Sequence, residues 1–169
     1  MEVLEALMTR RSVRDFNYKP VDNETIEKII KAAMHAPSAR NRQPWHFFVI
    51  TDRNILRMIP HVHPFAAMAP EASLAIVVCS DEEILPAPER RGIDCANATL
   101  SIQLAAHGLG LGAVWCGVYP DEDRQRELKN LLKLPDTIHP FSLVPIGYPA
   151  EPLPEVDRFN PERIHTNQW

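Results

Sequence analysis

Arg10, Arg11, Ser12, Val13 and Arg14 make up the first segment of this chain whose residue types invite chemistry. In an extended backbone, residues two apart point the same way, so Arg10, Ser12 and Arg14 present two guanidinium forks and a hydroxyl to one side. A guanidinium pairs with phosphate oxygens in a bidentate manner, so the segment could grip a phosphate; the alternative is a solvated basic patch. A second segment runs from Ala36 to Trp45, with Pro37 and Pro44 bracketing small and amide-bearing residues. Ser38, Asn41 and Gln43 offer donors and acceptors to the polar edge of a ring, and Arg40 and Arg42 add positive charge. Taken alone, a polar surface turn after a helix explains that segment better. In a third, Gly108-Leu109-Gly110-Leu111-Gly112 leads into Ala113-Val114-Trp115-Cys116-Gly117. A dinucleotide fingerprint follows a strand and opens a helix; these glycines follow a helix and open a strand, so they end the one and turn the chain into the other. Gly117, just past a strand, lets another object approach the backbone, and its N–H or that of Cys116 could donate to a ring nitrogen. Finally, Arg158 and Arg163 lie in the tail, where either could return to the phosphate or remain solvated.

Other residues look chemical but carry less. His61 and His63 have metal-like spacing without an evident third ligand, and a surface loop before Pro64 is the expectation. Cys116 reads as a small apolar filler, Trp45 as packing and His107 as a satisfied core histidine.

The elements that must position these residues follow from periodicity. Glu2–Met8 predicts a short helix. Asp22 or Asn23 caps a second, whose Ile26, Ile29, Ile30 and Ala33 follow helical spacing until Pro37 stops it. His46–Thr51 predicts a strand and Arg53–Ile59 a short helix. The apolar run within Ser73–Ser80 predicts a buried central strand. Pro86–Arg91 reads as a loop, and Ile93–His107 as a long helix, apolar on nearly all sides and therefore central. Ala113–Tyr119 predicts a strand, Asp121 caps a helix through Leu132, and Phe141–Tyr148 is the last strand. Four strands and about five helices interleave, which a sheet covered on both faces accommodates. There is no internal repeat and no sign of a second domain over residues 1–169.

Composition narrows the function classes. Hydrophobic residues make up 45% and charged residues 24%, with a net charge of −4, an ordinary globular balance. That mild acidity opposes nonspecific nucleic-acid binding. Cys79, Cys95 and Cys116 are odd in number and widely spaced, which suits neither a disulfide framework nor a zinc site and points to a reducing compartment. An acidic N-terminus and the lack of a ~20-residue apolar run argue against a signal peptide and a membrane span, so a cytoplasmic protein is expected. The Pro-rich tail, 149–169, is stiff and extended, and its terminal Trp169 is expected to dock on something.

In this order the segments resemble the FMN-dependent nitroreductase family, over nearly the whole chain. The likeness rests on Arg10-Arg11-Ser12-Val13-Arg14 followed by Pro37-Ser38-Ala39-Arg40-Asn41-Arg42-Gln43-Pro44-Trp45. The Ala-rich helix before Gly108, Val144-Pro145-Ile146-Gly147-Tyr148-Pro149 and Arg158-Phe159-Asn160-Pro161-Glu162-Arg163 extend it. The resemblance implies an α+β fold: a three-layer α/β/α sandwich with a mainly antiparallel central sheet, built as an intertwined homodimer that exchanges its C-terminal tails. FMN would lie at the subunit interface. Arg10, Arg11, Ser12 and Arg14 would hold its phosphate and ribityl chain, helped by Arg158 or Arg163. Pro37, Ser38, Ala39, Asn41 and Gln43 of the partner copy would line the ring, and Trp115, Cys116 and Gly117 would border N5. The resemblance implies a ping-pong oxidoreductase with no catalytic side chain, reduced by NADPH or NADH and passing hydride to a nitroaromatic, quinone or activated alkene. Enone reduction, reductive dehalogenation, flavin degradation, or a non-catalytic flavin carrier or regulatory dimer are its alternatives. Larger relatives carry a lysine near the flavin N1–O2 edge, where this chain has Phe65-Ala66-Ala67-Met68-Ala69-Pro70-Glu71; Arg40 or Arg42 could stand in.

Overall fold

A computed structural model describes residues 1–169. Its centre is β3 (Leu74–Asp81), buried along its whole length, as its unbroken apolar run predicts. The alternation of side chains across a strand divides the core in two. Leu74, Ile76 and Val78 face one helical layer, together with Ile29, Ala98, Ile102 and Ala106. Ala75, Val77 and Cys79 face the other, together with Leu56, Ile59 and Leu128. The first layer is α2 (Asn23–Met34) and α4 (Pro88–Gly108); the second is α3 (Arg53–Val62) and α5 (Glu122–Leu132). This is the expected three-layer α/β/α arrangement.

Six strands, not four, form the sheet. Its backbone is the order β1-β6-β3-β2, with β1 Phe16–Asn17, β2 Trp45–Ile50 and β6 Ile138–Pro149. All the ladders are antiparallel, and β6 also pairs with β4 (Gly112–Ala113) and β5 (Cys116–Gly117). The single strand expected over Ala113–Tyr119 is thus two short ones, Gly112 opposite Gly147 and Cys116 opposite Leu143. β1 has only two residues, too few for an alternation to declare itself.

Helix starts follow the caps. Asp22 accepts the Thr25 N–H at 2.8 Å, and Asp121 accepts the Arg124 N–H at 3.0 Å. α1 (Val3–Thr9) buries none of its residues. α3 runs past Pro60 to Val62, beyond the expected stop at Ile59, because the His63 N–H still closes onto Ile59 O at 2.9 Å. α4 begins at Pro88, inside the stretch expected to be a loop; proline at the first helical turn loses no hydrogen bond. Nor is α4 apolar-buried all round. Cys95, Ala98, Thr99, Ile102 and Ala106 line its covered face, while Ile93 and Leu100 on the other side are 63% and 42% exposed. The helix ends at Gly108 and Gly110 turns the chain with φ 79°, as expected of these glycines. No helix is long and apolar enough to cross a membrane.

Candidate functional site

The arginine segment leaves α1 at Arg10 and runs extended beside β4. Val13 N–H donates to Ala113 O at 3.0 Å and Ser12 forms a parallel bridge to Ala113. Val13 points into the core; Ser12 and Arg14 point out. Arg14 has no hydrogen bond or ion pair within the chain. The Arg10 side chain makes one hydrogen bond, to Gln103 Oε1 at 3.4 Å. Burial lowers the Arg10 pKa, and the nearby charges of Arg158 and then Arg11 lower it further. Guanidinium groups therefore crowd here without forming an ion pair, an arrangement that an added anion would relieve. Arg11 differs from its neighbours: it donates to Met8 O, Arg10 O and, across to the tail, Val156 O at 3.2 Å.

Arg14 also lines a cleft of about 320 Å³ with His63, Phe65, Met68, Val114, Trp115, Cys116, Gly117 and Arg124. The strand ladder orients its backbone. Val114 N–H and Val118 N–H donate to Pro145 O and Phe141 O of β6. Gly117 is out of phase with both, so its amide faces away from β6. A Cβ at Gly117 would meet nothing within 4 Å, which leaves room for a flat object against this backbone. The Gly117 carbonyl accepts from His63 Nε2 at 2.9 Å and Arg124 Nη1 at 3.3 Å. Trp115 packs on Phe141 with ring centroids 5.8 Å apart. The Cys116 thiol donates to Phe65 O, and burial pushes its pKa up to about 11 against the pull of Arg14, so it is a filler and not a nucleophile.

The Pro37–Gln43 segment lies elsewhere. Asp94 Oδ1 accepts the Ala39 N–H at 2.9 Å and Asn97 donates to Pro37 O at 3.1 Å, tying the loop to α4. Gln43 closes it, its N–H on Ser38 Oγ and its amide on Asn41 Oδ1. Arg40, Asn41 and Gln43 all hold positive φ, near 54°, 53° and 51°. Asp94, which anchors this loop, and Gln103, which meets Arg10, are about 13 Å apart along the axis of α4. Arg40 and Arg42 do not line the cleft; its cations are Arg14 and Arg124. One chain therefore joins Arg14, Trp115, Cys116 and Gly117 in a cleft, sets Arg10 beside Arg158, and keeps the Pro37–Gln43 loop apart from both.

Every residue from Glu151 to Trp169 is exposed. Arg158 acts on Arg10, whereas Arg163 sits in the short turn Pro161–Arg163 without an ion pair. Trp169 stacks only on His165, at 4.0 Å, and docks on nothing in its own chain. A hollow of about 770 Å³ lies between this tail and Met8, Thr9, Arg11 and His107.

His63, Phe65 and Arg124 are cleft residues that sequence reasoning missed. His63 was expected on a surface loop; it is 1% exposed and turns inward. The visible signal was the strong amphipathicity of α3, which continues past Pro60. His107 meets Thr9 Oγ1 at 2.7 Å, so it is satisfied as expected, but it is half-buried beside α1 and not in the core.

Comparison with known proteins gives a consistent answer. The sequence model of the Nitroreductase family matches residues 7–89 and 74–148. A Methanothermobacter thermautotrophicus protein, provisionally named NADH dehydrogenase/NAD(P)H nitroreductase, is 48% identical over 169 residues, covering 100% of this chain and 88% of its own. The crystal structure of a Parabacteroides distasonis protein with the same provisional name superposes with a TM-score of 0.93 at 41% identity, over 99% of this chain and 98% of that one. A Desulfovibrio desulfuricans protein, provisionally a nitroreductase and crystallised with FMN, superposes at 0.84 with 26% identity, over 100% and 98% of the two chains. This chain belongs to the nitroreductase family.

Proposed function

We propose that this protein is an FMN-dependent NAD(P)H oxidoreductase that works as a homodimer. The observation that carries the reading is the set of guanidinium groups without an ion pair: Arg10 and Arg14, on a segment held against β4 next to the open amide of Gly117, and Arg158 of the tail beside Arg10. A phosphorylated ligand with a flat ring satisfies both features. Arg10, Ser12, Arg14 and Arg158 hold its phosphate and sugar-alcohol chain. Arg11 supports them by fixing the tail through Val156, and Arg163 stands in reserve on the same tail. The backbone of Cys116 and Gly117 borders the ring, with Trp115 beside it.

FMN supplies, when bound, a carrier that takes a hydride from NADPH or NADH and yields it to a nitroaromatic, quinone or activated alkene. The chain's own groups bind, orient and exclude water; none of them needs to donate or accept a proton. Arg14 and Arg124 make the cleft electropositive, which favours a reduced, anionic ring. The Pro37–Gln43 loop lies too far along α4 to serve its own cleft, so Pro37, Ser38, Ala39, Asn41 and Gln43 act on the site of a second copy. The exposed apolar residues support that pairing. Val3, Leu4 and Met8 of α1, Ile93 of α4, and Phe159 and Trp169 of the tail are all more than 60% exposed in the single chain, and a partner would bury them.

Purified protein tests this directly. The expected result is a yellow dimer, reduced by NAD(P)H in anaerobic mixing and reoxidised by members of an acceptor panel. Replacing Arg10 and Arg14 together by methionine should abolish FMN retention. A colourless monomer indifferent to added FMN would overturn the reading.

A further inference from the structure

The cleft contains a polar arrangement that the scheme above does not use. His63 lies where α3 ends, 1% exposed, with Nε2 2.9 Å from the Gly117 carbonyl. A carbonyl can only accept, so Nε2 carries the ring proton. Nδ1 is then a bare acceptor, and it is buried without a partner. A buried polar ring that leaves one nitrogen unsatisfied calls for a compensating role for the other.

The same carbonyl receives Arg124 Nη1 from α5 at 3.3 Å. Arg124 is itself oriented by Asp121 Oδ2 at 3.3 Å and by the Phe65 ring, 5.0 Å away. These two donors, together with the Val118 N–H bond to Phe141 O at 3.2 Å, hold the peptide that follows Gly117. Glycine has no Cβ to restrict its own φ and ψ, so the placement of this residue depends on the groups that hold its neighbouring peptides. No other side chain is hydrogen-bonded to this residue.

We propose that His63 is a positioning residue: with Arg124 it clamps the Gly117 carbonyl and so holds the Gly117 α-carbon, and with it the N–H on the preceding peptide, in place at the wall of the cleft. The inference rests on the flavin reading, because the ring is what that N–H addresses. His63 acts through Gly117 and touches no reacting atom. The charged and titratable groups around it are Arg124 and Asp121 of α5, Arg14, and the Cys116 thiol. Of these only Asp121 would favour an imidazolium, and it is engaged with Arg124. Burial, with Arg124, holds the His63 pKa below its usual value despite the Gly117 hydrogen bond, so the ring stays neutral and the clamp keeps its single proton on Nε2.

The test uses the full chain with and without FMN. His63→Leu removes the donor at similar size, and His63→Gln restores a donor of similar reach. Three readouts are compared: the Gly117 amide resonance and its hydrogen exchange, the visible spectrum of bound flavin, and the rate constant for its reduction by NAD(P)H. In His63→Leu the amide resonance moves, exchange quickens, the spectrum shifts and reduction slows by about tenfold, the scale expected when a positioned donor is misaimed. His63→Gln recovers most of each. If leucine lowers the melting temperature but leaves the amide, the spectrum and the rate per bound flavin unchanged, or if glutamine and leucine behave alike, the role is structural and the proposal fails. Should His63→Leu not fold, Arg124→Met, beside the conservative Arg124→Lys, carries the same comparison on the other half of the clamp. A wild-type chain that binds no FMN would sink the flavin reading, while the amide readouts in FMN-free protein would still decide whether the clamp exists.

Discussion

Gly112→Ala attacks the junction that holds the arginine segment to the sheet. A Cβ at Gly112 would stand 2.6 Å from Val13 Cβ and Cγ2 and 2.7 Å from Cγ1. Ordinary contact begins at 3.4 Å, so strand and segment must part by roughly 0.8 Å. Val13 is 4% exposed and packs against Phe16 and Ala72. The displacement strains the 3.0 Å bond from Val13 N–H to Ala113 O and carries Ser12 and Arg14 out of register with the cleft. Overpacking of this kind costs about 1–3 kcal/mol. For a chain of this size each kcal/mol lowers the melting temperature by about 2–4 °C, so a fall of about 2–12 °C is expected. FMN affinity should fall about tenfold for each 1.4 kcal/mol of grip lost. Thermal unfolding and quenching of FMN fluorescence measure the two effects. Gly117→Ala is the matched control, because its Cβ meets no atom within 4 Å: melting should stay native while FMN affinity drops. A Gly112→Ala protein with native melting and native FMN affinity would refute the reasoning.

Further expectations concern caps, protons and thiols. Asp22→Ala removes the acceptor of the Thr25 N–H and hydroxyl and should cost about 1 kcal/mol in urea unfolding, since an N-cap is lost. Burial keeps His63 and His107 below their usual pKa of 6.5, so the unfolded chain takes up protons that the folded one refuses. Stability should therefore be full above pH 6.5 and fall on acidification toward pH 5; a urea midpoint that rises over that range would contradict the assignment. Burial raises the Cys116 and Cys95 thiols to about 11 and 12 and raises that of Cys79 as well, so an aromatic disulfide should titrate three thiols rapidly only after unfolding.

Much of the fold was legible because local chemistry and tertiary context agree. Asp22 and Asp121 announce their helices by composition, and they cap them in the structure. β3 reads as central because no polar residue interrupts Leu74–Cys79. Where the two levels separate, the sequence misleads. Val114-Trp115-Cys116 looks like one strand, yet the ladder with β6 breaks at Val114-Trp115, where the Val114 N–H bond to Pro145 O is the contact that remains. α4 looks apolar all round because its composition does not distinguish a face covered by its own sheet from one left exposed in the single chain. In the site, Arg14 and Gly117 were legible from residue type and spacing, and the structure puts them in one cleft. His63 and Arg124 were not, because they meet through Gly117 from elements 61 residues apart in the chain.

The part played by β6 bears on how the chain acquires its shape. β6 is the last strand, residues 138–149, yet it pairs with β1, β3, β4 and β5. During synthesis only the β2–β3 ladder can form early, and β1 has nothing to pair with until some 130 residues later. Such distant pairings make folding slow and leave apolar surface uncovered meanwhile. A ribosome-bound chain stalled before residue 138 should therefore remain protease-sensitive, and release of the final strand should convert it to the native state in one cooperative step.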